Sequence, residues 1–112
     1  MESLENITNL PELLASLETQ KTPTFIYICA YCSNGSYLID KIVQNMQEKF
    51  SDNLGYQKFT GSTAERIKEA LKIIKNPVLL LISAGEIKAV FSGIIAQYQL
   101  EQALEDLGLK AA

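Results

Sequence analysis

The sequence has no histidine, no tryptophan and only two cysteines. Without histidine, neither a His-based triad nor a histidine general base can be assembled. The two thiols, Cys29 and Cys32, cannot complete a four-ligand zinc site without imidazole partners, so no metal site is expected. Basic charge is also scarce: ten Lys and Arg against thirteen Asp and Glu give a formal charge of −3. The basic residues are scattered, with no run to track a phosphate backbone, which argues against nucleic-acid partners. No apolar stretch approaches the roughly 20 residues of a membrane-spanning helix. The acidic, amphipathic start MESLENITNLPELL lacks the basic n-region and apolar core of a signal peptide, so the expected compartment is the cytoplasm, with no membrane association. Glycine-rich phosphate loops are missing too. Ser33-Asn34-Gly35-Ser36 is short and has no P-loop lysine, and no cofactor is expected.

What remains is an ordinary globular balance. The 112 residues are 47% apolar, with charges of both signs interspersed, and are expected to form a single domain over 1–112. A chain of this size buries roughly two thirds of its unfolded surface, enough for a core without staples. Leu10, Leu13, Leu14 and Leu17 recur at helical spacing over 10–19, with Pro11 tolerable in the first turn. Leu4 to Ile7 could form a short edge strand. Residues 24–30 (TFIYICA) read as a strand covered on both faces. Leu38, Ile42, Met46 and Phe50, with Ile39 and Val43 beside them, predict a helix over 36–50.

Residues 54–60 read as a further strand, and Ser62-Thr63-Ala64-Glu65 as a capping box. The capping box would open a helix to about Ile74 with an apolar stripe of Ile67, Ala70, Leu71 and Ile74. Asn76-Pro77 would stop it. Val78 to Ile82 is a second buried strand, joined by the tight turn Ser83-Ala84-Gly85-Glu86 to a hairpin partner over 86–91. A last helix, about 96–107, presents Leu100, Ala103, Leu104 and Leu107 and ends at Gly108. The order (β)αβαβαββα implies parallel crossovers early and an antiparallel hairpin late. The expected fold class is α/β, with a central mixed sheet of four to five strands and helices on both faces.

That order, together with particular residues, resembles thioredoxin. Asn76-Pro77-Val78-Leu79-Leu80-Leu81-Ile82, followed by Gly85-Glu86-Ile87, is similar to the family's proline–strand–turn–strand segment. The resemblance implies a cis-proline at Pro77 bordering the site. Gly93, after Phe91-Ser92, falls where the family keeps a glycine beside its substrate groove, and Lys58 and the final helix are in register. The pattern can be laid on residues 25 to about 107 without a gap.

In that family, W-C-G-P-C lies between the first long strand and the next helix, and the first thiolate attacks a disulfide that the second cysteine resolves. The gap-free register places Ser33 and Ser36 at the two cysteine positions and Cys32 at the tryptophan. Serine cannot supply the chemistry. Tyr27 falls where many thioredoxins bury an aspartate that assists proton transfer. This register implies a degenerate active site, unable to run a dithiol cycle.

A second register slides Tyr31-Cys32 onto the family's Trp-Cys. Cys32 is then a lone catalytic candidate, and a monothiol thiol–disulfide oxidoreductase remains open. The third treats Cys29 and Cys32 as a displaced pair. A disulfide there needs Cα atoms within about 7 Å, whereas three extended residues span about 10 Å, so only a tight turn would permit it. The plain alternative for Cys29 is a small buried hydrophobe. Ser33, Asn34 and Ser36 equally suit a helix cap and turn.

The expectation adopted is a redox-inactive module with a groove of Tyr31, Ser33, Asn34, Gly35, Ser36, Asn76, Pro77, Ser92 and Gly93. The partner would be a protein or extended peptide beside Pro77.

Overall fold

The computed structural model describes residues 9–20, 22–29, 37–50, 53–74, 78–93 and 95–109. Among these, α1 (Leu10–Ser16), β1 (Thr24–Cys29), α2 (Tyr37–Lys49), β2 (Gly55–Thr60), α3 (Gly61–Leu71), β3 (Val78–Ser83), β4 (Glu86–Ser92) and α4 (Gln97–Asp106) follow in order. The strands form one sheet in the order β2-β1-β3-β4. β1 pairs parallel with β2 and antiparallel with β3, and β3 pairs antiparallel with β4. The mixed sheet is the expected one. The expected edge strand at Leu4 to Ile7 lies outside the described residues.

The apolar runs TFIYIC and VLLLIS become the two central strands because both of their faces are covered. Odd residues of β1 and β3 (Phe25, Tyr27, Cys29, Leu79 and Leu81) pack with Ile39, Val43 and Met46 of α2 and with Leu100 and Leu104 of α4. Even residues (Ile26, Ile28, Val78, Leu80 and Ile82) pack with Leu13 and Leu17 and with Ala64 and Ile67 of α3. The continuous apolar reading of these strands thus has a simple cause: alternation disappears when neither face meets water.

Local signals set several helix ends. Asn9 caps α1, its Oδ1 accepting the Glu12 backbone N–H at 3.0 Å, with Pro11 in the first turn. After α4, the Gly108 and Leu109 amides close back on Glu105 and Leu104, with Gly108 left-handed at φ +91°. For α3 the expected start is corrected. The helix begins at Gly61, so Ser62 lies inside its first turn, and the capping residue Thr60 makes no side-chain cap bond. The expected extent is corrected as well. Lys72 turns left-handed at φ 58°, its amide and that of Ile73 closing on Glu69 and Lys68, so the helix stops before Ile74. Ile74 is consequently 91% exposed rather than part of the stripe, and Ala64 and Ile67 carry the buried face.

The β3–β4 turn puts Ala84 at φ 53° and Gly85 at φ 78°, the pair of left-handed residues that a tight hairpin requires. A Cβ on Gly85 would come within 2.9 Å of the Glu18 Cα and 3.1 Å of the Leu14 carbonyl oxygen. Backbone meets backbone there, and neither side has a flexible end to move. Gly85→Ala is therefore expected to cost about 2 kcal/mol, from left-handed strain plus displacement of the chain after α1. Urea unfolding of the variant checks this, and an unchanged midpoint would show that the hairpin does not press on α1.

Candidate functional site

The ends of three strands lie together at one end of the sheet. Ile28 is opposite Val78, and Val78 is opposite Ser92. The end of β1 at Cys29, the start of β3 at Val78 and the end of β4 at Ser92 thus form one rim. Of the expected groove residues, Ser92 and Gly93 are described. Ser92 is exposed at the end of edge strand β4. Gly93 follows at φ 75°, and no described residue lies within 4 Å of where its Cβ would be. Tyr31, Cys32, Ser33, Asn34, Gly35, Ser36, Asn76 and Pro77 lie outside the described residues, as does the cis-proline expectation.

Two described segments that follow β1 and precede β3 in the chain carry exposed apolar residues that sequence reasoning did not single out as site residues. The first turn of α2 presents Tyr37 and Leu38, 67% and 69% exposed. The four-residue spacing places Leu38 on the buried stripe, and the structure corrects this. The observed stripe is Ile39, Val43, Met46 and Phe50, which leaves position 38 a helical step to the side. Ile74 stands four residues before Val78, and chain reach keeps it within about 14 Å of the rim. The buried Lys68 ties this residue back to α3, its Nζ donating to the Ile74 carbonyl at 3.1 Å.

Beneath the α2 side of the sheet is a polar cluster. Asp40 accepts from Tyr56 Oη at 2.7 Å on Oδ1 and from Lys58 Nζ at 3.1 Å on Oδ2. Lys58 lies opposite Tyr27 in the parallel ladder. Tyr27 is buried, and its hydroxyl has no hydrogen-bond partner among the described residues. Burial first, and the Asp40 charge second, push the Tyr27 hydroxyl above its usual titration range. Tyr56 is pushed up more strongly, by burial, its bond to Asp40 and the charges around it. The position where the resemblance implied an aspartate thus carries a neutral phenol, and a carboxylate reaches the same face of the sheet from α2. Lys58 was legible in the sequence as a residue in register. Asp40 and Tyr56 were not, because only the parallel β1–β2 register and the helix phase bring them together.

Cys29, the last residue of β1, is completely buried, as expected of a small hydrophobe, but it is not a free thiol: it is disulfide-bonded. The only other cysteine in the sequence is Cys32, outside the described residues. Among the described residues no group of acidic, cysteine or histidine side chains could hold a metal ion. No described helix is long and apolar enough to cross a membrane.

The layered mixed sheet, with its strand order and its helices, defines a thioredoxin-like α/β fold. Solved structures agree. Oxidised thioredoxin O2 of Arabidopsis thaliana superposes with a TM-score of 0.66 at 18% identity, over 90% of both chains. A cysteine-to-serine mutant of an Entamoeba histolytica thioredoxin gives 0.60 at 22% identity, covering 89% of this chain and 95% of that one. A structure addressing thiol resolution in yeast mitochondrial 1-Cys peroxiredoxin through the glutathione and thioredoxin systems gives 0.67 at 17%, over 89% and 92% of the two chains. At these identities the likeness is one of fold. No protein-family model and no curated protein sequence matches the chain.

Proposed function

We propose that this chain is a protein-binding module that holds an extended, apolar segment of a partner protein at the Cys29–Val78–Ser92 end of its sheet, without an ordinary dithiol cycle. The observation that carries the reading is the exposure of Tyr37, Leu38 and Ile74, in the segments that open α2 and precede β3, three of the five large apolar side chains that stand exposed in the described structure. Large apolar groups left in water favour burial against a partner. The edge of β4 and the open space at Gly93 offer backbone groups and room for a strand-like ligand. The site positions of the gap-free register, Ser33 and Ser36, provide no thiol.

The alternative, a monothiol oxidoreductase, requires Cys32 as a free thiolate. The disulfide of Cys29 weighs against it, because Cys32 is the sole other cysteine in the chain.

The test is a displayed library of unstructured peptides selected against the whole chain, with binding mapped by amide chemical shifts. Expected are perturbations at Tyr37, Leu38, Ser92 and Gly93, and at least a roughly tenfold loss of affinity in Leu38→Asp with Ile74→Asp, about 1.4 kcal/mol. Steady reduction of a disulfide-bonded peptide, abolished by Cys32→Ser, would overturn the proposal, as would peptides that map to another face.

A further inference from the structure

At helical spacing, Ile74 follows Ile67 and Leu71 on the face that α3 turns to the sheet. It stands 91% exposed instead, while the preceding Ile73 packs with Leu71 on the α1–α3 side of the core. Three features of the α3 exit produce this placement. Lys72 takes a left-handed backbone at φ 58°, a conformation unfavourable for a residue with a Cβ. The amides of Lys72 and Ile73 donate back to the carbonyls of Glu69 and Lys68, both at 3.1 Å. Lys68 then closes the turn with its side chain, its Nζ donating to the Ile74 carbonyl at 3.1 Å. The segment is therefore held twice by one residue, through the Lys68 carbonyl on Ile73 and the Lys68 ammonium on Ile74.

Each feature is unfavourable taken alone. Lys68 is only 9% exposed, so its ammonium has given up most of its water. Lys72 is strained, and a large β-branched side chain is left in solvent. A lysine at a helix C-terminus can reach the last carbonyls from the surface, without burial. Local costs gathered at one place persist where the surrounding structure imposes them, and such places coincide with functional positions. Their combined product here is one apolar side chain in water on a backbone that is not free to turn it inward.

We infer that Lys68 is a positioning residue of the binding surface, its ammonium fixing the Ile74 carbonyl so that the Ile74 side chain is presented, already ordered, to an apolar surface of the partner protein. This rests on the binding role proposed above and adds to it the residue that holds one of its contacts in place. Preorganisation strengthens binding because the segment is ordered before the partner arrives. With a loose segment, only the fraction of molecules that have Ile74 correctly placed is competent, and the apparent affinity falls by that fraction.

The experiment uses the full chain, labelled with nitrogen-15. Its probe is the peptide from the display selection that loses most affinity on Leu38→Asp with Ile74→Asp. In the free wild-type chain the Ile74 amide should have an order parameter of about 0.85, the value of rigid backbone, despite the exposure of its side chain. Lys68→Met keeps the aliphatic stem and removes the donor. It should lower that order parameter below about 0.6 and weaken the peptide roughly fivefold, with the amide resonances of the sheet unmoved. Lys68→Arg restores a charged donor and should recover the affinity to within about twofold of wild type.

A flexible Ile74 in the wild-type chain would overturn the inference, and that measurement needs no variant to fold. So would unchanged peptide affinity in Lys68→Met, or a Lys68→Arg variant as weak as Lys68→Met. Peptides that bind another face would remove the binding role and this inference with it. Peptides weakened by Leu38→Asp and indifferent to Lys68→Met would remove this inference alone.

Discussion

Met46→Ala is expected to lower the unfolding free energy by about 3 kcal/mol, whereas Leu38→Ala, in the same helix, should change it by less than about 0.5 kcal/mol. Met46 is 0% exposed and lies in the core layer between α2 and the sheet, with Phe25, Val43 and Phe50 in the same cluster. Removing its side chain loses the transfer energy of the deleted atoms and leaves a cavity that the central strands, each held on two sides, cannot collapse to fill. Leu38 is mostly in water, and its truncation removes little that folding had buried. Urea unfolding with equal slopes for both variants gives the comparison directly. A large cost at Leu38 would mean that the phase of α2 is wrong. It would also remove part of the exposed apolar surface on which the proposed binding role rests, so the stability measurement constrains the functional reading before any ligand is known.

The same residue shows where the sequence was informative and where it was not. The two central strands, the α1 start, the hairpin turn and the α4 stop were readable because each depends on neighbours within a few positions: TFIYIC and VLLLIS on runs of apolar residues, the α1 start on leucine spacing and Pro11, the α4 stop on Gly108, whereas the Asn9 cap was not read. The phase of α2 was harder. Leu38, Ile39, Ile42, Val43 and Met46 leave two overlapping apolar stripes, and only the sheet decides that Ile39, Val43 and Met46 face inward. The end of α3 depended on Lys72 adopting a left-handed conformation, for which lysine gives no signal.

Register effects were equally hidden. The β3–β4 ladder shifts between Leu81 and Ile82, which pair with Ala89 and Ile87, so Lys88 is an extra residue in the strand. At the site, the Asp40–Tyr56–Lys58 contacts link a helix to alternate residues of a strand 16 and 18 positions away. Cys29 was legible as buried, but its disulfide was the reading that extended-chain geometry favoured least.

The two tyrosines beside Asp40 make a second effect calculable: stability should fall once the pH passes about 10, and they should contribute to the slope. The ordinary tyrosine value is 10.0, and both Tyr27 and Tyr56 lie above it in the folded chain. As the pH rises through 10 the unfolded chain therefore releases these two protons more readily than the native chain does. The unfolded state binds fewer protons, so the contribution is fully present below pH 10 and declines as pH rises. Each retained proton adds a slope of about 1.4 kcal/mol per pH unit.

Lysines titrate in the same range, and Lys58 is in direct contact with Asp40, so the informative quantity is the difference between variants. Tyr27→Phe and Tyr56→Phe should each flatten the alkaline slope by up to that amount. At pH 7 the two should separate. Tyr56→Phe loses a bond to a partly exposed carboxylate and should cost about 1 kcal/mol, while Tyr27→Phe removes a buried hydroxyl that has no described partner and should be neutral or slightly stabilising. Urea unfolding at pH 7, 9, 10 and 11 measures all of this. A Tyr27→Phe variant with the wild-type alkaline slope would show that this phenol ionises within the native fold, and hence that water reaches the α2 face of β1 beside Cys29.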